Sequence, residues 1–405
     1  MNKVLMIVGD GMGDCTYKEL GNKTPMQVAR TPELDKLTQK GICGMVYPVG
    51  EGMVPSSTVA HRALLGDWNF LNHLGRGLFA ALSTDVELSD SDIVFRCDLS
   101  TIDNNRLVKD ERAGRIQDTV KIQSLINSLS PLNDIAFEYQ AIKEYRGVLI
   151  IHDNQHNFKG INVSDLFAME GSSLKECVPF DNDSVPLANF VNKLYDCTRE
   201  VLQKQSLLYH NKTTAITLRG AARTSQLTNG LLSSKSIKGG FVTGIPDVYG
   251  VLKYCGLESL TDLKNIDLSE IKAKEYIDPI LKQIDQYDLF VINIGSFDAA
   301  SHDGDLKRKI KYFEQLDEMI KYFESKANEE ITIILTADHC TLCKTKQHSF
   351  LPVPVVISPS NEGCDEAGEF SEDAFIKSGV LGTLENGNVI ARIMTSNLEK
   401  GFYVS

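Results

Sequence analysis

The chain has 405 residues, enough to bury a full core and to form two structural units. Its 42 Lys and Arg against 54 Asp and Glu leave a net charge of −12, which gives no electrostatic reason to bind nucleic acid or an anionic membrane. No apolar run approaches the roughly 20 residues of a membrane span, and nine cysteines without framework spacing fit a reducing cytoplasm. Met1-Asn2-Lys3 leads into Val4-Leu5-Met6-Ile7-Val8, an apolar run read as a buried strand and not as a signal peptide. The run closes on Asp10, with Gly11 and Gly13 marking a tight turn, and ligands gather at that edge of open α/β sheets.

Thr31-Pro32-Glu33-Leu34 opens a helix with a cap and a first-turn proline, and Gly41 ends it before a strand at about 42–47. From Val54 to Gly66 a polar turn runs into an apolar helical stretch, placing Ser57 at a helix N-terminus where backbone amides and the helix dipole favour a bound phosphate. Between about 104 and 185 the pattern changes. A polar strand, a helix around Val120 to Leu129 and strands around Ile135 to Ile151 predict a small inserted α+β domain, leaving 1–103 and 186–405 as the core. Further strands are expected at about 213–218, 238–243 and 288–294, the last followed by Asp298 and His302 one helical turn apart. Asp303 to about Lys326 reads as an amphipathic helix with Ile310, Phe313, Leu316, Ile320 and Phe323 facing the core. A strand at 331–336 delivers Asp338 and His339; His348 follows nine residues on, ahead of a strand at 353–358. Alternating helix and apolar strand predicts an α/β fold with a mostly parallel sheet flanked by helices.

Asp10, Ser57, Asp298, His302, Asp338, His339 and His348 are the residue types needed to hold two divalent metals beside a serine nucleophile. A mixed carboxylate and imidazole set suits manganese or zinc, whereas magnesium prefers oxygen alone. Two such ions roughly 4 Å apart stabilise both the attacking and the leaving oxygen of an in-line displacement at phosphorus. Cys340 and Cys343 form a Cys-x-x-Cys next to His339, but no second pair completes a zinc site, and they read as loop residues near the metals.

Several motifs resemble a known family. Met6-Ile7-Val8-Gly9-Asp10-Gly11-Met12-Gly13-Asp14, Thr31-Pro32-Glu33-Leu34-Asp35-Lys36-Leu37, Gly75-Arg76-Gly77, Phe95-Arg96-Cys97, Arg112-Ala113-Gly114-Arg115, Leu218-Arg219-Gly220-Ala221-Ala222-Arg223, His302-Asp303-Gly304-Asp305 and Asp338-His339 look like the archaeal-type cofactor-independent phosphoglycerate mutases of the alkaline phosphatase superfamily. The resemblance implies one metal on Asp298, His302 and His348, and a second on Asp10, Ser57, Asp338 and His339. It implies that Ser57 is phosphorylated in passing, and that Arg76, Arg96, Arg112, Arg115, Arg219 and Arg223 grip a small phosphorylated substrate; His61 is read either as a further substrate contact or as packed against its helix.

Three positions depart from the family pattern. Thr58 stands where an acidic residue usually follows the serine, no Asp-Pro-His is found after Val148-Leu149-Ile150-Ile151, and Phe350-Leu351 replaces a Gly-Asp. The leading expectation is interconversion of 3- and 2-phosphoglycerate through phospho-Ser57. The alternative is a phosphatase or phosphotransferase of the same build acting on another small phosphate or phosphonate.

Overall fold

Runs of Val, Ile and Leu buried on both faces build the central sheet, as parallel pairing between helix layers requires. The computed structural model describes residues 3–398 apart from 73, 156, 210–211, 228–231, 233–236, 328–330 and 360–362, so Met1 and Asn2, which lead into the first expected strand, lie outside the described residues. Two units result: Met1–Asn72 with Asn229–Ser405, and His73–Thr228. In chain order, β1 (Lys3–Gly9) and β2 (Ile42–Val46) open the larger unit. The smaller unit holds β3 (Ile93–Ile102), β4 (Val108–Asp110), β5 (Phe137–Lys143), β6 (Arg146–Ile151) and β7 (Ala215–Arg223). The chain then returns to the larger unit with β8 (Gly239–Thr243), β9 (Glu258–Ser259), β10 (Leu289–Ile294), β11 (Ile331–Ala337), β12 (Cys340–Leu342), β13 (Gln347–Ser349), β14 (Val353–Ser358) and β15 (Gly382–Leu384).

The larger sheet runs β15-β2-β14-β11-β1-β10-β8-β9. Pairing is parallel except where β14 lies antiparallel to β11 and β2. Gly9 sits opposite Ile294 on β10 and Ala337 on β11, so the three central strands end at one level. The residues that follow therefore leave the sheet side by side.

The smaller unit differs from the insert expected over 104–185. β3 pairs with β7 from Ile93 opposite Arg223 to Ser100 opposite Ala215, and with β6 on its other edge. The sheet thus needs strands on both sides of the expected borders, and the long helix Val185–Tyr209 packs on β7. The helix expected around Val120 to Leu129 spans Val120–Asn127 and packs on β5.

Two local readings change. The hydroxyl of Thr31 makes no cap bond to the helix Pro32–Gln39; Asp317, from the helix Leu306–Lys326, accepts the N–H groups of Glu33 and Leu34 at 2.7 and 2.8 Å. That long helix buries Lys309 with Phe313, Leu316, Ile320 and Phe323, while Ile310 is only half-buried. Among the described residues no helix is long and apolar enough to cross a membrane.

Candidate metal centre

Asp10 follows β1 directly and Asp338 follows β11, so parallel register sets two carboxylates at the same sheet edge. Between them Gly11 adopts φ +67°, a left-handed turn that glycine enters without a Cβ penalty, and its N–H donates to Asp338 Oδ1 at 3.0 Å. β10 gives way to the helix Ser296–Asp303, whose one-turn spacing brings His302 Nε2 within 3.3 Å of Asp298 Oδ2. His348 arrives by a hairpin: β12 pairs antiparallel with β13, Thr341 opposite His348. Its ring then stacks on His339 with centroids 3.7 Å apart. The nine-residue gap in sequence is that hairpin.

Ser57 is the first residue of the helix Ser57–Leu64, behind the cap residue Ser56. Its Oγ lies 3.1 Å from His339 Nε2 and 3.4 Å from Asp10 Oδ1, and the residue is half-buried. All seven residues of the expected metal set therefore meet in the larger unit.

Two overlapping groups have donor atoms within 4.8 Å of one another: Asp10, Asp338 and His339, and Asp298, His339 and His348. His339 belongs to both, while His302 touches the second through Asp298. The residues fit divalent cations on two observations. Asp338 Oδ2 is fully buried without a hydrogen-bond partner among the described residues. Burial and the Asp10 charge push the Asp338 carboxyl up to about 8, an excess of negative charge that a cation relieves. Burial opposes charge on His339, but the neighbouring Asp338 and Asp10 carboxylates raise it above the ordinary histidine value.

The histidines are aimed by what their other nitrogen meets. His302 Nδ1 lies 2.8 Å from the Lys346 carbonyl and His348 Nδ1 lies 3.0 Å from the Pro55 carbonyl. A carbonyl only accepts, so each Nδ1 carries hydrogen and leaves Nε2 to face Asp298. Lys346 offers its carbonyl from a left-handed turn, φ +59°.

Of the two readings of His61, substrate contact or packing against its helix, the packed one is observed. The residue is 1% exposed, its Nδ1 donates to Ser57 O at 2.8 Å, and its Nε2 lies 3.2 Å from Asn293 Nδ2. Asn293 also donates to Asp10 Oδ2 at 3.2 Å and accepts from Thr243 at 2.9 Å, so the chain Thr243, Asn293, His61 braces Asp10 and the serine backbone from behind. Lys309, fully buried, shares its three Nζ protons among four acceptors at 2.9–3.0 Å, the carbonyls of Gly11, Gly13 and Thr341 and the Asp14 carboxylate. Neither Asn293 nor Lys309 stood out in the sequence. The available signal was polarity out of place: Asn293 inside an apolar strand, and Lys309 at helical spacing with Phe313 and Leu316. Cys340 and Cys343 are free and buried, and burial holds both thiols above their ordinary range.

The six arginines lie in the smaller unit. Arg96 and Arg219 face each other across β3 and β7 and share Asp98, Arg96 Nε at 3.0 Å and Arg219 at 2.7 Å. Arg76 opens the helix Arg76–Leu82, whose start abuts Gly220 at φ +60°. Asp165 accepts the Gly220 N–H at 2.8 Å, and the Phe167 ring lies under the Arg219 guanidinium, 4.0 Å from its centre. Arg112 and Arg115 flank a turn in which Ala113, Gly114 and Arg115 all have positive φ, held by Asp110 on the Arg112 and Gly114 N–H groups. Arg223 stands apart, turned to Asp153, Ser91 O and Phe158 O.

A family model described as the metalloenzyme superfamily matches residues 2–389. The chain is 32% identical over 391 residues to a 2,3-bisphosphoglycerate-independent phosphoglycerate mutase of Methanosphaera stadtmanae, covering 93% of this chain and 94% of that one. The chain belongs to this mutase family, within the metalloenzyme superfamily. Membership implies divalent-metal binding, in keeping with the carboxylate and imidazole groups above. A Methanococcus maripaludis mutase of the family is 30% identical over 409 residues, 97% of each chain. A Pyrococcus horikoshii protein shares the fold with a TM-score of 0.80 at 24% identity, covering 100% of this chain and 99% of that one. The cofactor-independent phosphoglycerate mutase of Thermoplasma acidophilum does so with a TM-score of 0.64 at 20% identity, covering 98% and 100%.

Proposed function

We propose that the chain interconverts 3- and 2-phosphoglycerate through a phosphoserine at Ser57, with two divalent ions, manganese or zinc, held by Asp10, Ser57, Asp338 and His339 and by Asp298, His302 and His348. The observation that carries the reading is the position of Ser57 Oγ. It sits at a helix N-terminus, 3.1 Å from His339 Nε2 and 3.4 Å from Asp10 Oδ1. Relatives named 2,3-bisphosphoglycerate-independent phosphoglycerate mutase, about as long as this chain, support the substrate.

When bound, the ions supply Lewis-acid charge that favours a serine alkoxide and neutralises charge on the phosphoryl oxygens. Ser57 Oγ attacks phosphorus, the bond from phosphorus to the 3-oxygen breaks, and the serine proton leaves with the 3-hydroxyl. The glycerate stays bound and turns, its 2-oxygen attacks the phosphoserine, and Ser57 regains its proton. No further reactant enters. The helix N-terminus directs backbone N–H groups at the transferring phosphoryl group.

A second reading, a phosphatase or phosphotransferase on another small phosphate or phosphonate, draws on Thr58. Its hydroxyl pairs with Ser56 Oγ at 3.1 Å and brings no charge to the position after the serine. Phosphorus NMR of the manganese-treated, then chelated, reaction with 3-phosphoglycerate separates the two. The 2-phosphoglycerate signal is the expected product; free phosphate alone would move the assignment to the second reading. Ser57→Ala should abolish turnover, and retained turnover would exclude the covalent route.

A further inference from the structure

Thr341 is fully buried and has no place in the ligand pattern. Its Oγ1 lies 2.7 Å from Asp298 Oδ1 and 3.0 Å from His339 Nδ1. A hydroxyl has one proton, and a carboxylate oxygen has none to give. The short contact with Asp298 therefore takes the Thr341 proton, and the hydroxyl oxygen can only accept from His339. Nδ1 of His339 must carry hydrogen, which puts the lone pair of the neutral ring on Nε2. Nε2 is the atom that faces Asp10 Oδ1 and Asp338 Oδ2, each at 3.3 Å.

Thr341 is itself held in place. Lys309 donates to its carbonyl at 2.9 Å, and β13 pairs with it opposite His348. Gly11 leaves room for the hydroxyl: a Cβ there would stand 2.7 Å from Thr341 Oγ1 and 2.8 Å from Asp298 Oδ1. We propose that Thr341 is the positioning residue that aims His339 and couples it to Asp298, so that one hydroxyl orders a ligand from each of the two donor groups. The inference rests on the reading of those groups as a metal centre.

Thr341→Val keeps the shape and removes both hydrogen bonds. Zinc suits the test because it leaves NMR lines sharp. In zinc-loaded protein with 15N-labelled histidine, the His339 Nδ1 proton of the native chain is protected and shifted downfield. The valine variant loses that signal while the protons of His302 and His348, bonded to carbonyls, keep theirs. Zinc affinity, by competition with a chromophoric chelator, falls about 10–100-fold in the valine variant and stays within about twofold in Thr341→Ser. Native affinity with a protected His339 proton in Thr341→Val overturns the proposal. So does a serine variant that loses affinity, a result readable even if the valine chain fails to fold. Neither readout uses turnover. Native protein that binds zinc through an ordered His339 yet leaves 3-phosphoglycerate unchanged would count against the mutase reading alone.

Discussion

Gly11 shows how much a single hydrogen atom decides in this centre. At φ +67° its backbone suits glycine, and an added Cβ would press on Thr341 Oγ1, Asp298 Oδ1 and Asp298 Cα at 2.7–2.9 Å. Gly11→Ala should therefore cost metal retention while leaving far-ultraviolet circular dichroism unchanged; manganese bound after gel filtration reads this directly. Asp338 sets the pH dependence. Its carboxyl is raised to about 8 by burial and by the Asp10 charge, so the metal-free site holds a proton at pH 7 that a bound ion displaces. Burial opposes charge on His339, but the Asp338 and Asp10 carboxylates raise its pKa to about 9, so this ligand too must give up a proton. Affinity should rise with pH until both groups are deprotonated and flatten only above about 9. Calorimetry in buffers of different ionisation enthalpy should show proton release at pH 7; none would mean that neither Asp338 nor His339 holds a proton there.

The elements place these side chains by register. Because Gly9, Ile294 and Ala337 sit level, Asp10 and Asp338 emerge together and Asp298 follows within one helix. The turn after β1 is then tied to β12 by the helix Leu306–Lys326, whose Lys309 holds the carbonyls of Gly11, Gly13 and Thr341 together with Asp14. Both charges are buried, 0% and 1% exposed. Removing one partner strands the other: Lys309→Met should cost about 3–5 kcal/mol in a urea melt. A loss under 1 kcal/mol would mean that the loops hold themselves, with Asp14 kept in place by Tyr17, which donates to it at 2.6 Å.

For the whole molecule, the seven metal-type residues all belong to the larger unit and the six arginines to the smaller. Chelation should therefore speed hydrogen exchange at 9–14, 57–61, 298–302 and 338–348, and leave the β3, β6 and β7 amides as they were. Mass spectrometry of peptides reads both. Equal deprotection of the β3 sheet would mean that its stability depends on the metal centre, for which the sheet itself gives no reason, since its core is its own cluster of buried residues.

The sequence alone determined the central strands, the residue types at their ends and hence the chemistry. Apolar runs that stop at Asp10, before Asp298 and at Asp338 mark parallel strands buried on both faces, and ligand chemistry is written in residue type. The family motifs were legible for the same reason. The partners were not. His61 was open between substrate contact and packing against its helix, and stands behind Asp10; Arg223 was expected in the cradle and is turned to Asp153; the borders at 104 and 185 fall inside a sheet that β3 and β7 close. His339 meets Thr341 and His348 through a hairpin, and Lys309 reaches Gly11 across 298 positions. Only the tertiary structure decides such meetings, because a hydrogen bond depends on strand register, turn dihedrals and ring orientation, which residues distant in sequence acquire only when the chain is packed.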